Sequence, residues 1–269
     1  MAFVIAEAGV NHQGNVSLAH RLVDAAATAG ANAVKFQTFD AERLEPPGPR
    51  REMLRELQLS HQAHVSLSDY ARTCGIDFMS TPFDPDSLRF LVEIGVKRIK
   101  IASGQLDNWP LLHAAKASGL PVLLSTGMAD YPQIAAAFAL VGASRATLLH
   151  CTSAYPCPLE DVNLRAMIAL RANFGGEVGF SDHSEGIEAA LAATALGAVV
   201  IEKHLTLARD MDGPDHKASV EPDEFARMVR GIRGVEAMMG DGIKQPRASE
   251  AVAVEIAAER RAWRSQAAA

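Results

Sequence analysis

The chain has 269 residues, 48% of them hydrophobic, and a formal net charge of −6. That length supports one domain with a substantial core, and the acidic balance argues against a nucleic-acid partner, which requires a basic face. The longest apolar stretch, AALAATALGAVVI at 189–201, is too short to cross a bilayer and is interrupted by Gly197, so no membrane partner is expected. Cys74, Cys151 and Cys157 make an odd set with no CxxC pair, which points to a reducing, cytoplasmic setting. The N-terminal MAFVIAEAGV carries no basic leader and reads as a strand rather than a signal peptide.

Short β-rich runs alternate with helical runs along the whole chain. FVIAEAGV precedes a helix at Ser17–Ala29 that Gly30 stops, and AVKFQTF precedes a polar Pro/Gly/Arg insertion around EPPGPRRE and a helix at His61–Thr73. DFMSTPF leads into Asp86–Ile94, RIKIAS into Pro110–Ser118, VLLST into Gln133–Val141, and ATLLHCTS into Leu164–Asn173. VGFSDH leads into Ile187–Leu196, and VVIEKH into a last helix at Pro222–Met239. Parallel strands need crossovers, which helices supply, so the units predict an α/β fold, a (β/α)8 TIM barrel over residues 1–240. A doubly wound open sheet uses the same alternation, but the GVNHQGN turn after the first strand is not the dinucleotide-binding GxGxxG. Residues 241–269, rich in Ala, Glu and Arg, read as a C-terminal helical tail.

In a barrel, alternate side chains face the lumen and chemistry gathers at the C-terminal strand ends. Parity then groups Ile5, Glu7 and Gly9; Ala33, Lys35 and Gln37; Met79 and Thr81; Arg98, Lys100 and Ala102; Gly179, Ser181 and His183; and Val200, Glu202 and His204. These polar ends converge on one pocket at the top face. His183 and His204 end adjacent strands about 5 Å apart, so two imidazoles can reach one ion, with open positions suited to Mn, Fe, Co or Zn. Lys97, Arg98 and Lys100 could instead form a solvated rim. Lys35 and Lys100, however, interrupt buried β runs, where a cation without an anion costs several kcal/mol. A phosphate or carboxylate ligand would supply that anion, and the turns carrying Ser103, Gly104, Ser125, Thr126 and Gly127 could cradle it. Asp215 lies in a Gly/Pro loop as either a turn residue or a ligand-facing carboxylate. His12 and His150 are expected to make local hydrogen bonds. Cys151 and His150 point to opposite faces, which excludes a Cys/His nucleophile pair.

The segments IAEAGVNHQGN, VKFQTF, STPFD, KIASGQLDN, LSTGM, LLHCTSAYPCPLEDVNL, GFSDHSEG and EKHLTLARDMDGPDHKASVEPDEF, in that order over about residues 3–245, resemble the sialic acid synthase family. The resemblance implies a TIM barrel that condenses phosphoenolpyruvate with an N-acylated aldose, such as N-acetylmannosamine, to a nonulosonic acid and phosphate by C–O cleavage. It implies a divalent metal, usually Mn2+ with Mg2+ or Co2+ as substitutes, held at His183 and His204. It places phosphoenolpyruvate on Lys35, Thr81, Lys100, Ser103, Ser125 and Ser181, sets Tyr155 near both substrates, and matches Glu7, Gln37 and Asp215 to amino-sugar contacts. It also implies a homodimer. Glu7 or metal-bound water is the candidate for positioning the attacking water. The chain departs from the family at Gln105, where a carboxylate usually follows Ser-Gly, and at Ser153, where Asn can stand. The link between strands two and three is short, with no match for a sugar-contacting asparagine. The family's C-terminal antifreeze-like domain, which in a dimer sets an arginine over the partner's site, is expected to be missing. Other readings are a Schiff-base aldolase using Lys100 and a non-catalytic sugar- or phosphate-binding homologue.

Overall fold

A computed structural model describes residues 1–267. Strand β1 (Phe3–Gly9) leads into α1 (Val16–Thr28), whose N-cap Asn15 accepts from the Ser17 and Leu18 amides, satisfying donors the helix leaves open. Strand β2 (Ala33–Thr38) follows. The polar insertion expected after it folds into helices α2 (Ala41–Leu44) and α3 (Pro49–Leu57) before α4 (His61–Thr73). The supposedly short β2–β3 link is therefore a helical layer. Pro49 starts α3 because its fixed φ and missing N–H suit a first turn.

The remaining units run β3 (Asp77–Pro82), α5 (Pro85–Glu93), β4 (Ile99–Ile101), α6 (Trp109–Ser118), β5 (Val122–Ser125) and α7 (Tyr131–Val141). Then come β6 (Ala146–His150), α8 (Arg165–Phe174), β7 (Val178–Asp182), α9 (Glu188–Ala195), β8 (Val200–His204) and α10 (Pro222–Met239). All ladders are parallel, in the order β3-β2-β1-β8-β7-β6-β5-β4. The end strands β3 and β4 pack side by side and close the ring. This is the (β/α)8 barrel that the alternation predicts.

Contacts divide the chain into two compact units, Met1–Glu236 and the segment from Ala237 onward. The second unit carries α11 (Ala251–Ala267) and an Arg247–Asp241 ion pair at 2.6 Å. The last two residues of the expected tail lie outside the described residues. No described helix is long and apolar enough to cross a membrane.

The lumen is filled in layers. Ile5, Ala33, Met79, Leu123, Leu149 and Val200 form one buried apolar cluster, separate from the core between strands and helices. Ile5, Ala33, Met79 and Val200 come from the strand parity expected to face inward, and Leu123 and Leu149 join them from β5 and β6, because side chains alternate with a period of two. Below this plug, the Arg98 guanidinium lies 3.9 Å from the Phe3 ring centroid and pairs with Asp77 at 3.0 Å. Gly179 completes the plug. A Cβ there would meet Leu149 Cδ2 at 2.6 Å and the Val200 carbonyl at 2.7 Å, and the backbone oxygen cannot swing aside. Gly179→Ala is therefore expected to cost about 1–3 kcal/mol, read as a lower denaturation midpoint with an unchanged m-value. An unchanged midpoint would remove this packing claim.

Candidate active site

One layer above the plug, the strands deliver polar side chains to the barrel centre. Lys35 and Lys100 are 2% and 4% exposed, so their charges must be matched locally. The match comes from within the chain. Lys35 Nζ lies 2.8 Å from Glu7 and 3.6 Å from Glu202, and Lys100 Nζ lies 3.0 Å from Glu202. The expectation that a ligand must supply the neutralising anion is thus corrected: carboxylates from β1 and β8 already do so. Lys35 Nζ also donates to Thr81 Oγ1 at 2.8 Å, and Ser181 Oγ donates to Glu202 Oε1 at 2.8 Å. Glu202, which strand parity put beside His204 without singling it out, is the hub of this cluster. Lys97, by contrast, is exposed and pairs with Asp77, as does Arg98 below the plug. The three cations of residues 97–100 therefore form no common rim.

The same environment sets two carboxyls against each other. Burial pushes the Glu7 carboxyl up to about 7, with Lys35 opposing and Glu202 adding to the rise. Burial also pushes Glu202 up, but Lys100 and Lys35 outweigh it and hold Glu202 well below the usual carboxylate range. For Lys35, burial acts to lower the ammonium, yet Glu202 and Glu7 prevail and raise it. A pair of carboxyls pushed apart in this way gives one permanent anion and one group able to exchange a proton near neutrality.

His183 and His204 meet at the mouth, their ring centroids 5.5 Å apart. His183 Nδ1 lies 2.8 Å from the Thr152 carbonyl. A carbonyl can only accept, so Nδ1 carries the proton and Nε2 keeps its lone pair. His204 Nδ1 is buried with no hydrogen-bond partner, 3.9 Å from Asp215 Oδ2 and beyond hydrogen-bonding reach. Burial lowers both imidazoles, with the Thr152 carbonyl opposing for His183 and the neighbouring His183 and Lys35 adding to the fall for His204. They are neutral, as ligation requires. An imidazole nitrogen binds a divalent ion at about 2.1 Å, so two rings at this separation can share one. The donor set fits such an ion. No group of three or more His, Cys, Asp or Glu is arranged to hold a metal among the described residues.

Tyr155 covers the pair, its centroid 4.3 Å from that of His183 and 5.8 Å from that of His204. Gly9, at φ +52°, lets three groups crowd one wall. A Cβ there would lie 3.3 Å from Asp215 Oδ2, 3.4 Å from Glu7 Oε1 and 3.5 Å from Gln37 Nε2. Burial raises the Asp215 carboxyl to about 6 against the pull of Lys35. On the other wall, the Gly127 amide donates to Ser103 Oγ at 3.0 Å. A Cβ on Gly127 would lie 2.4 Å from Ser153 Oγ and 3.0 Å from both Cys151 Sγ and Ser103 Oγ. Ser125 Oγ is buried without a partner, which marks an unfilled hydrogen-bonding position beside this cradle. Cys151 was not anticipated here, although its parity with Leu149 would have found it.

Of the predicted site residues, Gln105 stands apart. It ends the 3-10 turn Ser103–Gln105, and its Oε1 accepts from Asn108 Nδ2 at 2.8 Å, so it is tied to its own turn. His12 and His150 make the expected local bonds. The Gly14 amide donates to His12 Nδ1 at 3.0 Å, and His150 Nε2 lies 2.8 Å from the Val162 carbonyl.

The NeuB family model matches residues 22–244. An N,N'-diacetyllegionaminic acid synthase of Campylobacter jejuni subsp. jejuni serotype O:2 is 44% identical, covering 94% of this chain and 82% of its own length. One of the same name from Legionella pneumophila is also 44% identical, covering 92% of this chain and 76% of its own length. Among solved structures, an N-acetylneuraminic acid (sialic acid) synthetase from Leptospira borgpetersenii serovar Hardjo-bovis, in complex with citrate, superposes with a TM-score of 0.90. It is 40% identical and covers 95% of this chain and 90% of its own.

Proposed function

Because the chain belongs to the NeuB family and is a transferase of the N-acetylneuraminate synthase type, we propose that it joins phosphoenolpyruvate to an open-chain N-acylated aldose, giving a nonulosonic acid and inorganic phosphate. The observation that carries the reading is the buried pair Lys35 and Lys100, set at the barrel centre below two neutral imidazoles and beside the Ser103–Ser125–Gly127 cradle. Glu202 stays ionised while Glu7 exchanges its proton near neutrality, so whenever Glu7 is protonated the two ammonium groups outnumber the anions and the floor is net cationic. A phosphate and a carboxylate are what such a floor attracts.

His183 and His204 would hold a divalent ion, Mn2+ with Mg2+ or Co2+ as substitutes, which supplies Lewis-acid polarisation of the aldehyde oxygen. The chain's own groups do the rest. Lys35, Lys100, Thr81 and the serine hydroxyls bind and orient the enol phosphate. Gln37, Asp215 and Tyr155 line the wall where the sugar stands. C3 of the enolpyruvate forms a bond to the aldehyde carbon, whose oxygen takes up the proton of the protonated Glu7 carboxyl. Water adds to the cationic C2 and gives up a proton to the Glu7 carboxylate that this first transfer leaves. The C–O bond to phosphate then breaks with its electron pair on the leaving oxygen, and the C2 hydroxyl loses its proton to become the ketone. A Schiff-base route through Lys100 has less support, since its Nζ is engaged by the ionised Glu202.

Phosphate release from phosphoenolpyruvate, Mn2+ and a panel of mono- and di-N-acetylated aldoses tests the reading. Folded, metal-loaded protein that releases none with any acceptor would sink it. Glu7 provides a second check. An anion arriving beside it raises its carboxyl further above about 7, so phosphoenolpyruvate binding is expected to take up protons. The uptake is small well below neutrality, where Glu7 is already protonated, and grows as pH rises through neutral. Calorimetry in buffers of different ionisation enthalpy measures it, and Glu7→Gln should remove that component. Equal uptake by the variant would take the proton away from Glu7.

A further inference from the structure

We propose that the buried Asp182–Lys203 ion pair is a positioning device that sets the spacing and aim of the His183 and His204 imidazoles, and so tunes divalent-ion affinity. The inference rests on the reading that these two rings hold such an ion. Asp182 and Lys203 occupy the opposite face of β7 and β8 from the lumen, each one residue before an imidazole. Both side chains are 0% exposed, and Lys203 Nζ lies 2.9 Å from Asp182 Oδ2.

The location gives the pair its role. Asp182 and Lys203 are the last partners of the β7–β8 ladder. His183 lies just past it, where β7 has ended, so no ladder bond to β8 holds its backbone. The ion pair takes over at that point. Asp182 Oδ1 accepts from the Ser184 amide at 2.9 Å and from Ser184 Oγ at 2.6 Å. Lys203 Nζ donates to the Ser184 carbonyl at 2.5 Å. His183 is thereby bracketed on both sides by one network anchored on β8. The Cys157 amide adds a bond to the His183 carbonyl at 2.8 Å. His204 is held independently, through the Leu205 amide to the Glu7 carbonyl at 2.8 Å and the Val220 amide to its own carbonyl at 2.9 Å. The lock therefore acts chiefly on His183 relative to a fixed His204. A fully buried ion pair is a poor source of stability, since an apolar pair of similar volume often serves as well or better. What it does supply here is a directional link across the two strands at the level of the rings.

The test is the double variant Asp182→Asn/Lys203→Met, which strands no charge, keeps an oxygen for Ser184 and preserves volume. Metal-free protein is titrated with Mn2+, with free Mn2+ read from its electron paramagnetic resonance signal, and phosphoenolpyruvate kinetics are measured at saturating Mn2+. The expected result is a folded protein with Mn2+ affinity lower by about tenfold or more, and a phosphoenolpyruvate KM at saturating Mn2+ within about twofold of the parent. Folded double variant with parental Mn2+ affinity would overturn the proposal. If the double variant does not fold, Asp182→Asn alone is titrated; weakened Mn2+ binding supports the lock and parental binding overturns it. His183→Ala is the control. Mn2+ binding that survives this change overturns the two-imidazole reading itself. Binding lost there but parental in the lock variant overturns the lock alone.

Discussion

His204→Ala is expected to give a folded protein that binds no Mn2+ and turns over at least about 10³-fold more slowly, the equivalent of several kcal/mol of barrier at 1.36 kcal/mol per decade. The reason the fold should survive lies in the ring itself. His204 Nδ1 makes no hydrogen bond within the protein, so truncation removes packing under Tyr155 but breaks no buried polar pair there. His183→Ala should lose metal and turnover equally but cost about 1 kcal/mol more stability, because the bond from Nδ1 to the Thr152 carbonyl goes with it. Equilibrium Mn2+ binding, a thermal melt and phosphate release on the same preparations separate these effects. Parental turnover by either variant, or by rigorously metal-free parent protein, would contradict the role given to the pair.

Lys100→Met is expected to lower kcat/KM for phosphoenolpyruvate by about 10²-fold, corresponding to roughly 3 kcal/mol, with most of the loss in KM. Met is one atom shorter but close to Lys in volume, and it deletes the charge. Two consequences follow from the contacts. The floor loses one of its two ammonium groups, and Glu202 is left with Lys35 at 3.6 Å and Ser181 at 2.8 Å. Burial then pushes its carboxyl up with less opposition. The double variant Lys100→Met/Glu202→Gln distinguishes these consequences. It removes the stranded carboxylate, so stability should recover, while phosphoenolpyruvate affinity should not. Recovery of both would mean that Lys100 serves only to neutralise Glu202, and unchanged kinetics in the single variant would remove Lys100 from the substrate site.

Most of the site is legible from strand parity, because the direction of alternate side chains depends on local geometry alone. Alternate side chains of a strand face the same way, so Glu7, Lys35, Thr81, Lys100, Ser181, Glu202 and the two imidazoles could be placed on the lumen side from spacing. What parity cannot say is which of these groups touch. Lys35 and Lys100 each read as a cation awaiting a ligand, because their carboxylate partners lie on other strands, Glu7 on β1 and Glu202 on β8. The polar run 202–204 drew attention to His204 and passed over Glu202, whose importance comes from standing between two lysines. Lys203 sits in the same run, yet its full burial behind the sheet cannot be read from its neighbours.

By itself, then, the order of residues determined the alternation of strands and helices, the inward face of six of the strands and the kinds of group brought to the barrel mouth, since all three follow from backbone periodicity and side-chain chemistry. Only the tertiary structure decided that Glu7 and Glu202 pair with the lysines, that the two carboxyls part in acidity, that Tyr155 covers the two imidazoles, and that Asp182 grips Lys203 behind them. Each of those outcomes is a distance or a desolvation between separate segments of the chain, and neither quantity exists until those segments pack together.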